Sequence, residues 1–306
     1  HIVDTADFQL RRNQSLGIVG ESGSGKTMLC RALIGTLRRH GAVVTSGKIL
    51  FDGQDLAAAG EGVWRGIRGR HIGYVPQSSL AGLNPVLTVK TQLLEAIRAA
   101  RTLAPGQAEE EALQLLKLVR IHRPARVLEA RAHQLSGGMR QRVMIATAIA
   151  QEPEVLIADE PTTALDVTIQ REILSLIKSL RKRLNMTLLF VSHDLAVIEE
   201  VCDSVMVMYA GASVEIGPID AVNKKPLHPY TRALLASRVD LAAVGKKLET
   251  VPGDPASVGA WPRGCRFWPR CPLADEACQQ EDQLPLLPVG RQLTACLHAD
   301  RMENDP

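Results

Sequence analysis

The chain has 306 residues, 36 Lys and Arg against 33 Asp and Glu, a net charge of +3, and 45% hydrophobic but only 3% aromatic residues. This length suits one large or two modest domains with proper cores, and 23% charged residues excludes disordered, collagen-like and low-complexity classes. The small net charge and the scarcity of rings for base stacking argue against a nucleic-acid partner.

The basic clusters Arg38–Arg39, Arg181–Arg183 and Lys246–Lys247 are dispersed and read as solvated faces. No apolar run approaches the roughly 18 to 20 residues that span a bilayer, and no apolar leader follows His1, so a cytosolic location is expected. The start at His1 rather than Met suggests that further residues precede it.

The apolar run Ser15–Val19 predicts a buried strand that leads through Gly20–Gly25 into a helix from Lys26 to about Leu37. Strand signals recur at Lys48–Phe51, His71–Val75, Val155–Ala158, Leu188–Val191 and Ser204–Met208. Several are unalternated apolar runs, which suit a mainly parallel sheet covered on both faces, as in α/β proteins. Thr88–Arg101, Gln107–Val119 and Gly138–Gln151 are predicted helices, and together they read as a helical insertion into that core. After about Lys225 recurrent prolines, Pro226 through Pro288, predict a loop-rich tail.

Gly20-Glu21-Ser22-Gly23-Ser24-Gly25-Lys26-Thr27 matches the phosphate-loop pattern G-x-x-x-x-G-K-[ST] at a strand-to-helix junction. Its glycines let the backbone curl so that successive N–H groups face phosphate oxygens, with the positive helix end behind them. Lys26 is then placed to reach the β and γ phosphates of a nucleotide, and the Thr27 hydroxyl to bind Mg²⁺. The strand Val155–Ala158 ends in Asp159 and Glu160. There Asp159 would hold Mg²⁺ and Glu160 would act as general base on the attacking water.

Ser136-Gly137-Gly138 opens a further helix whose amides form a second anion-binding end. Gln77 and His193 each follow a predicted strand and would project toward the nucleotide.

The order phosphate loop, Gln77, Leu135–Met139, Asp159–Glu160, Asp166, His193 resembles the nucleotide-binding domain of ABC ATPases over about Gln14 to Gly217. The resemblance implies that Ser136 and Gly138 contact the γ-phosphate of ATP on a partner subunit, with Asp166 across the dimer seam. It implies that His193 contacts the γ-phosphate, and that Gln77 senses Mg²⁺ and the attacking water while signalling to a membrane subunit. Met139 stands where the family signature usually has Gln. The family's adenine-stacking aromatic is expected upstream of His1, because Phe8 is spaced as a core position; ATP affinity is expected to be weakened without that segment.

His228–Leu235, Leu156–Gln170 and Gly264–Cys278 resemble ATP-binding subunits of bacterial dipeptide and oligopeptide importers. Related importers of nickel, glutathione or opine-like compounds share much of this pattern. The expected architecture is an ABC-type domain over 1–223, with a helical subdomain at about 82–150, and a metal-binding extension over 224–306. Expected partners are a second related ATPase subunit, two transmembrane permeases and an extracytoplasmic peptide-binding protein, at the cytoplasmic face of the inner membrane. DNA-repair ABC ATPases need a long coiled-coil insertion that the interval Gln77 to Ser136 is too short to hold, and translation-associated ones carry two such domains.

Cys30 and Cys202 are isolated, whereas Cys265, Cys271, Cys278 and Cys296 crowd the last 42 residues as C-x5-C-x6-C-x17-C. In a reducing compartment that clustering favours metal over disulfides. The spacing is looser than common zinc pairs and by itself leaves a soft metal of open identity. In the peptide-importer family the arrangement resembles the ligands of a [4Fe–4S] cluster. Zinc, with His298 replacing Cys296, and a metal-free tail are the alternatives. Arg263, Arg266 and Arg270 are expected to favour the thiolate forms.

Overall fold

The computed structural model describes residues 1–78, 82–99, 103–238, 251, 253–279 and 284–304. Its strands are β1 Ser15–Val19, β2 Leu50–Phe51, β3 Gln54–Asp55, β4 Ile72–Val75, β5 Val155–Asp159, β6 Thr187–Ser192, β7 Ser204–Tyr209, β8 Ala212–Pro218, β9 Leu287–Val289 and β10 Gln292–Thr294. The chain divides into two units, the first of His1–Leu10, Ser15–Leu29 and Phe190–Pro306, the second of Arg11–Gln14 and Cys30–Leu189.

In the first unit the sequence's apolar runs become the centre of a sheet. All five residues of β1 are buried, and β1 pairs in parallel with β7 from Leu16↔Ser204 to Val19↔Val207. β7 turns through Ala210 (φ 47°) and Gly211 (φ 80°) into antiparallel β8, left-handed geometry that matches strand twist in a tight hairpin. The tail then continues the sheet: β10 pairs with β8 through Leu293↔Ile216 and Thr294↔Glu215, and β9 pairs with β10.

The tail is therefore not loop alone. Loop dominates 253–279, but two short strands and the helices Pro229–Ala236 and Ala299–Asn304 anchor it. Prolines fit because Pro229 takes the first helical position, where no N–H is needed, and β9, with Pro288, lies at the margin.

In the second unit β4 and β5 pair in parallel from Ile72↔Val155 to Val75↔Ala158. Helices Val89–Arg98, Pro105–Leu118, Pro124–Leu128 and Gly137–Ile149 pack on one another, burying Leu93, Ile97, Leu116 and Val143 completely. The first starts where Thr88 Oγ1 accepts the Thr91 N–H at 3.2 Å; residues 100 and 101 of the predicted helix lie outside the described residues, as do Lys246–Lys247 and Pro252.

Two boundaries differ from expectation. The helix from Lys26 ends at Leu33 rather than Leu37, with Gly35 in the left-handed region against the Trp64 ring. The strand over Lys48–Phe51 shrinks to β2, paired only with β3. The helix Val167–Arg183 buries Ile173, Leu174, Leu176, Ile177 and Leu180. Among the described residues no helix is long and apolar enough to cross a membrane.

Candidate nucleotide site and a thiol-lined cavity

In the first unit β1 delivers the chain into the loop Gly20–Gly25 and then directly into the helix starting at Lys26. Gly25 has φ 97°, and a Cβ there would lie 2.9 Å from Val3 Cγ2 and 3.0 Å from the Ile2 carbonyl oxygen, so the turn demands glycine. Ser24 and Lys26 are buried while Ser22 and Gly23 are exposed. The Lys26 ammonium lies inside the curl, donating to the Gly20 carbonyl at 2.7 Å, the Glu21 carbonyl at 3.0 Å and Ser24 Oγ at 3.4 Å. A cation fixed in a ring of backbone at a helix start has the chemistry to receive an anion. His193 is exposed just past β6, where Asp194 caps the next helix by accepting the Ala196 N–H at 2.8 Å.

In the second unit Asp159, at the end of β5, is fully buried and accepts the Tyr74 hydroxyl at 3.1 Å. Burial and the Asp159 charge push the Tyr74 hydroxyl well above its ordinary pKa, so it stays a donor. Glu160 follows in the left-handed region at φ 44°, a strain of about 1–3 kcal/mol for a residue with a side chain. Its Oε2 accepts from Gln77 Nε2 at 3.1 Å and from Thr163 Oγ1 at 2.9 Å. Gln77 and Glu160, 83 positions apart, are thus joined.

The glycine pair behaves similarly. Ser136 caps the helix Gly137–Ile149 by accepting the Met139 N–H at 3.3 Å, and Asp166 caps Val167–Arg183 by accepting the Ile169 N–H at 3.0 Å. A Cβ on Gly138 would sit 2.7 Å from Ile169 Cγ2. Glycine lets the two helix starts touch, and Ser136 and Asp166 are exposed beside that contact.

In the tail, Cys265, Cys271, Cys278 and Cys296 line one cavity with His228 and His298. Removal from water pushes the Cys265 thiol up to about 11 and Cys296 up to about 12, with the neighbouring sulfurs adding to the rise. The arginines do not act as expected. Arg266 binds Asp4 and the Ala210 carbonyl and lies 4.1 Å over the Trp261 ring, Arg270 binds Glu21, and Arg263 is exposed. Burial dominates at Cys265, Cys271 and Cys296, and the buried guanidiniums of Arg266 and Arg270 each have a carboxylate partner of their own.

Among the described residues, the ligand atoms that converge within 4.8 Å of one another are those of Asp275, Cys278 and His298. His298 Nε2 lies 3.1 Å from Asp275 Oδ2 and 3.6 Å from Cys278 Sγ. Burial pushes His228 down to about 3; its Nδ1 accepts the Tyr230 N–H at 3.1 Å, leaving Nε2 4.0 Å from Cys265 Sγ.

Sequence reasoning missed Glu215 and the role of Tyr230, and it gave Arg270 a different role. Glu215 is completely buried in β8 and accepts the Leu227 and His228 N–H groups and Gln292 Nε2, each at 2.9 Å. Tyr230 and Arg270 both reach Glu21 in the phosphate loop. The signal for Glu215 was a lone acid among apolar neighbours in ASVEIGP; nothing in the sequence tied Tyr230 or Arg270 to Glu21, 209 and 249 positions away.

A strand, a phosphate loop with its lysine, a strand-end Asp-Glu pair and a serine-glycine helix start define a P-loop ATPase of transporter type. Residues 3–163 match the family model described as ABC transporter, and residues 214–278 match the model for the oligopeptide/dipeptide transporter C-terminal region. The chain belongs to the ABC transporter ATP-binding family.

It is 43% identical to a putative peptide import ATP-binding protein of Brucella abortus, over 94% of this chain and 87% of the relative. It is 40% identical to an oligopeptide transport ATP-binding protein of Escherichia coli, over 96% and 86%. A solved dimeric bacterial ABC transporter cassette superposes with a TM-score of 0.63 at 26% identity, covering 71% of this chain and 90% of the cassette.

Proposed function

We propose that this chain is the ATP-hydrolysing subunit of an importer of short peptides. What carries the reading is a phosphate loop on one chain with a C-terminal region of the oligopeptide/dipeptide transporter kind. In this reading residues 1–223 form the ATPase, with the helical subdomain at about 82–150, and 224–306 the extension. Two transmembrane permeases, a second ATPase subunit and an extracytoplasmic peptide-binding protein complete the machine at the inner membrane. Importers of nickel, glutathione or opine-like compounds, which share much of this pattern, are the alternative.

Gly20, Ser22, Gly23, Ser24 and Gly25 turn their backbone toward the phosphates, and Lys26 neutralises β and γ charge. Thr27 and Asp159 offer oxygen donors, the hard ligands that Mg²⁺ takes; bound Mg²⁺ supplies charge neutralisation on the phosphate oxygens. Glu160, oriented by Gln77 and Thr163, takes the proton of the attacking water, and His193 steadies the γ-phosphate. Ser136, Gly137, Gly138 and Asp166 serve the nucleotide of a facing subunit, so two chains make two sites.

The four thiols of the cavity fit a [4Fe–4S] cluster in donor type and number. Zinc is the alternative, and the donor atoms of Cys278, His298 and Asp275, which lie within 4.8 Å of one another, speak for it. When bound, such a cluster would staple the tail.

Two experiments test these readings. In-frame deletion of the gene should abolish uptake of labelled di- to pentapeptides and leave amino-acid uptake intact, and unchanged peptide uptake overturns the cargo. Anaerobically purified protein should be brown, with iron and sulfide near stoichiometric, whereas a colourless zinc protein overturns the cluster.

A further inference from the structure

The phosphate loop is held from the tail. Arg270 lies beside Cys271 in the turn Trp268–Arg270, and its guanidinium binds Glu21 bidentately, Nη1 to Oε2 at 2.8 Å and Nη2 to Oε1 at 3.1 Å. It also donates to the Tyr209 hydroxyl at 3.2 Å and the Val251 carbonyl at 3.3 Å. Tyr230, wholly buried, accepts the Glu21 N–H on its hydroxyl at 2.9 Å. Side chain and main chain of one loop residue are thus both fixed by residues more than 200 positions later.

Glu21 matters because its carbonyl is one of the acceptors that position the Lys26 ammonium. Arg270 is 8% exposed, so this is a shielded, fork-shaped, charge-assisted contact, the kind that sets geometry as well as energy. Around it Tyr209, Tyr230 and Phe267 form a ring cluster with centroids 4.7–5.4 Å apart, which keeps both partners from swinging away.

We propose that Arg270 and Tyr230 are positioning residues for ATP: by fixing Glu21 they set the loop backbone and the Lys26 ammonium before nucleotide binds. The tail is in this sense part of the ATP site, and loss of order around Cys271 loosens the loop. This rests on the phosphate loop being the ATP site.

The test uses the full chain, with ATP affinity from calorimetric titration and steady-state turnover in the assembled transporter. Arg270→Gln and Tyr230→Phe should each weaken ATP binding about tenfold, raising KM with kcat largely kept, and Arg270→Lys should fall between. The swap Glu21→Arg with Arg270→Glu should recover affinity lost by either single change, and the rise in KM at unchanged kcat and unchanged melting temperature is what a merely structural residue would not produce. Arg291→Ala, an exposed arginine paired with Asp220, should bind as wild type.

Thermal melts exclude unfolded variants, and if Arg270→Gln does not fold, Tyr230→Phe and the swap carry the test. Wild-type affinity in both folded variants, with Lys26→Ala unable to bind, overturns the positioning role. Retained binding in Lys26→Ala overturns the ATP-site reading instead.

Discussion

Gly138→Ala is the sharpest steric probe of the signature helix. The added Cβ would lie 2.7 Å from Ile169 Cγ2, whereas carbon atoms settle at about 3.5–4.0 Å. The two helix starts must therefore separate by about 1 Å, and overpacking of this kind costs about 1–3 kcal/mol. In a unit of this size that lowers the melting temperature by about 2–4 °C per kcal/mol. Because Ser136 and Asp166 cap the two helices that part, hydrolysis in the assembled transporter should fall about 100-fold, while ATP binding to the isolated chain stays normal.

Ile169→Leu removes the offending Cγ2 at nearly constant volume, so the double variant should recover most of the lost stability and a large part of the turnover. Paired melts and ATPase assays on the four proteins form the cycle. No recovery on adding Ile169→Leu would show that the methyl harms something other than this contact and would refute the steric argument.

Glu160→Gln keeps shape but removes the base, so ATP turnover should drop about 100-fold or more with binding retained; full turnover would sink the assignment. Burial raises the Glu215 carboxyl above the usual range, against the pull of its Leu227, His228 and Gln292 donors. Protonation is therefore favoured more in the folded than in the unfolded chain, and this contribution, complete below the unfolded pKa, is lost as pH rises through the raised folded one. Glu215→Gln should flatten the decline of melting temperature over that interval, and an unchanged slope in a pH series would count against it. Cys271→Ser should lower metal content as measured by elemental analysis; wild-type content would exclude that thiol as a ligand.

The nucleotide motifs were legible because each is short, contiguous and chemically restrictive: the Gly20–Thr27 loop tolerates few residue types. Strands β1, β5 and β7 were legible for a related reason, being apolar runs buried along nearly their whole length. β8 was not, since ASVEIGP carries Glu215, whose cost is met only by partners 12, 13 and 77 positions away. Short β9 and β10 escaped because their signal lies in pairing, not in composition. The arginines near the cysteines were misread for the same cause: sequence proximity suggested thiols, while folding gave Arg266 to Asp4 and Arg270 to Glu21.

The central claim, that this chain powers peptide import, is tested most directly in vesicles holding the purified transporter. Binding protein loaded with peptide should stimulate ATP turnover and drive labelled peptide inward, and Lys26→Ala in this subunit should abolish transport. Transport that persists with Lys26→Ala, or turnover indifferent to peptide-loaded binding protein, would contradict it.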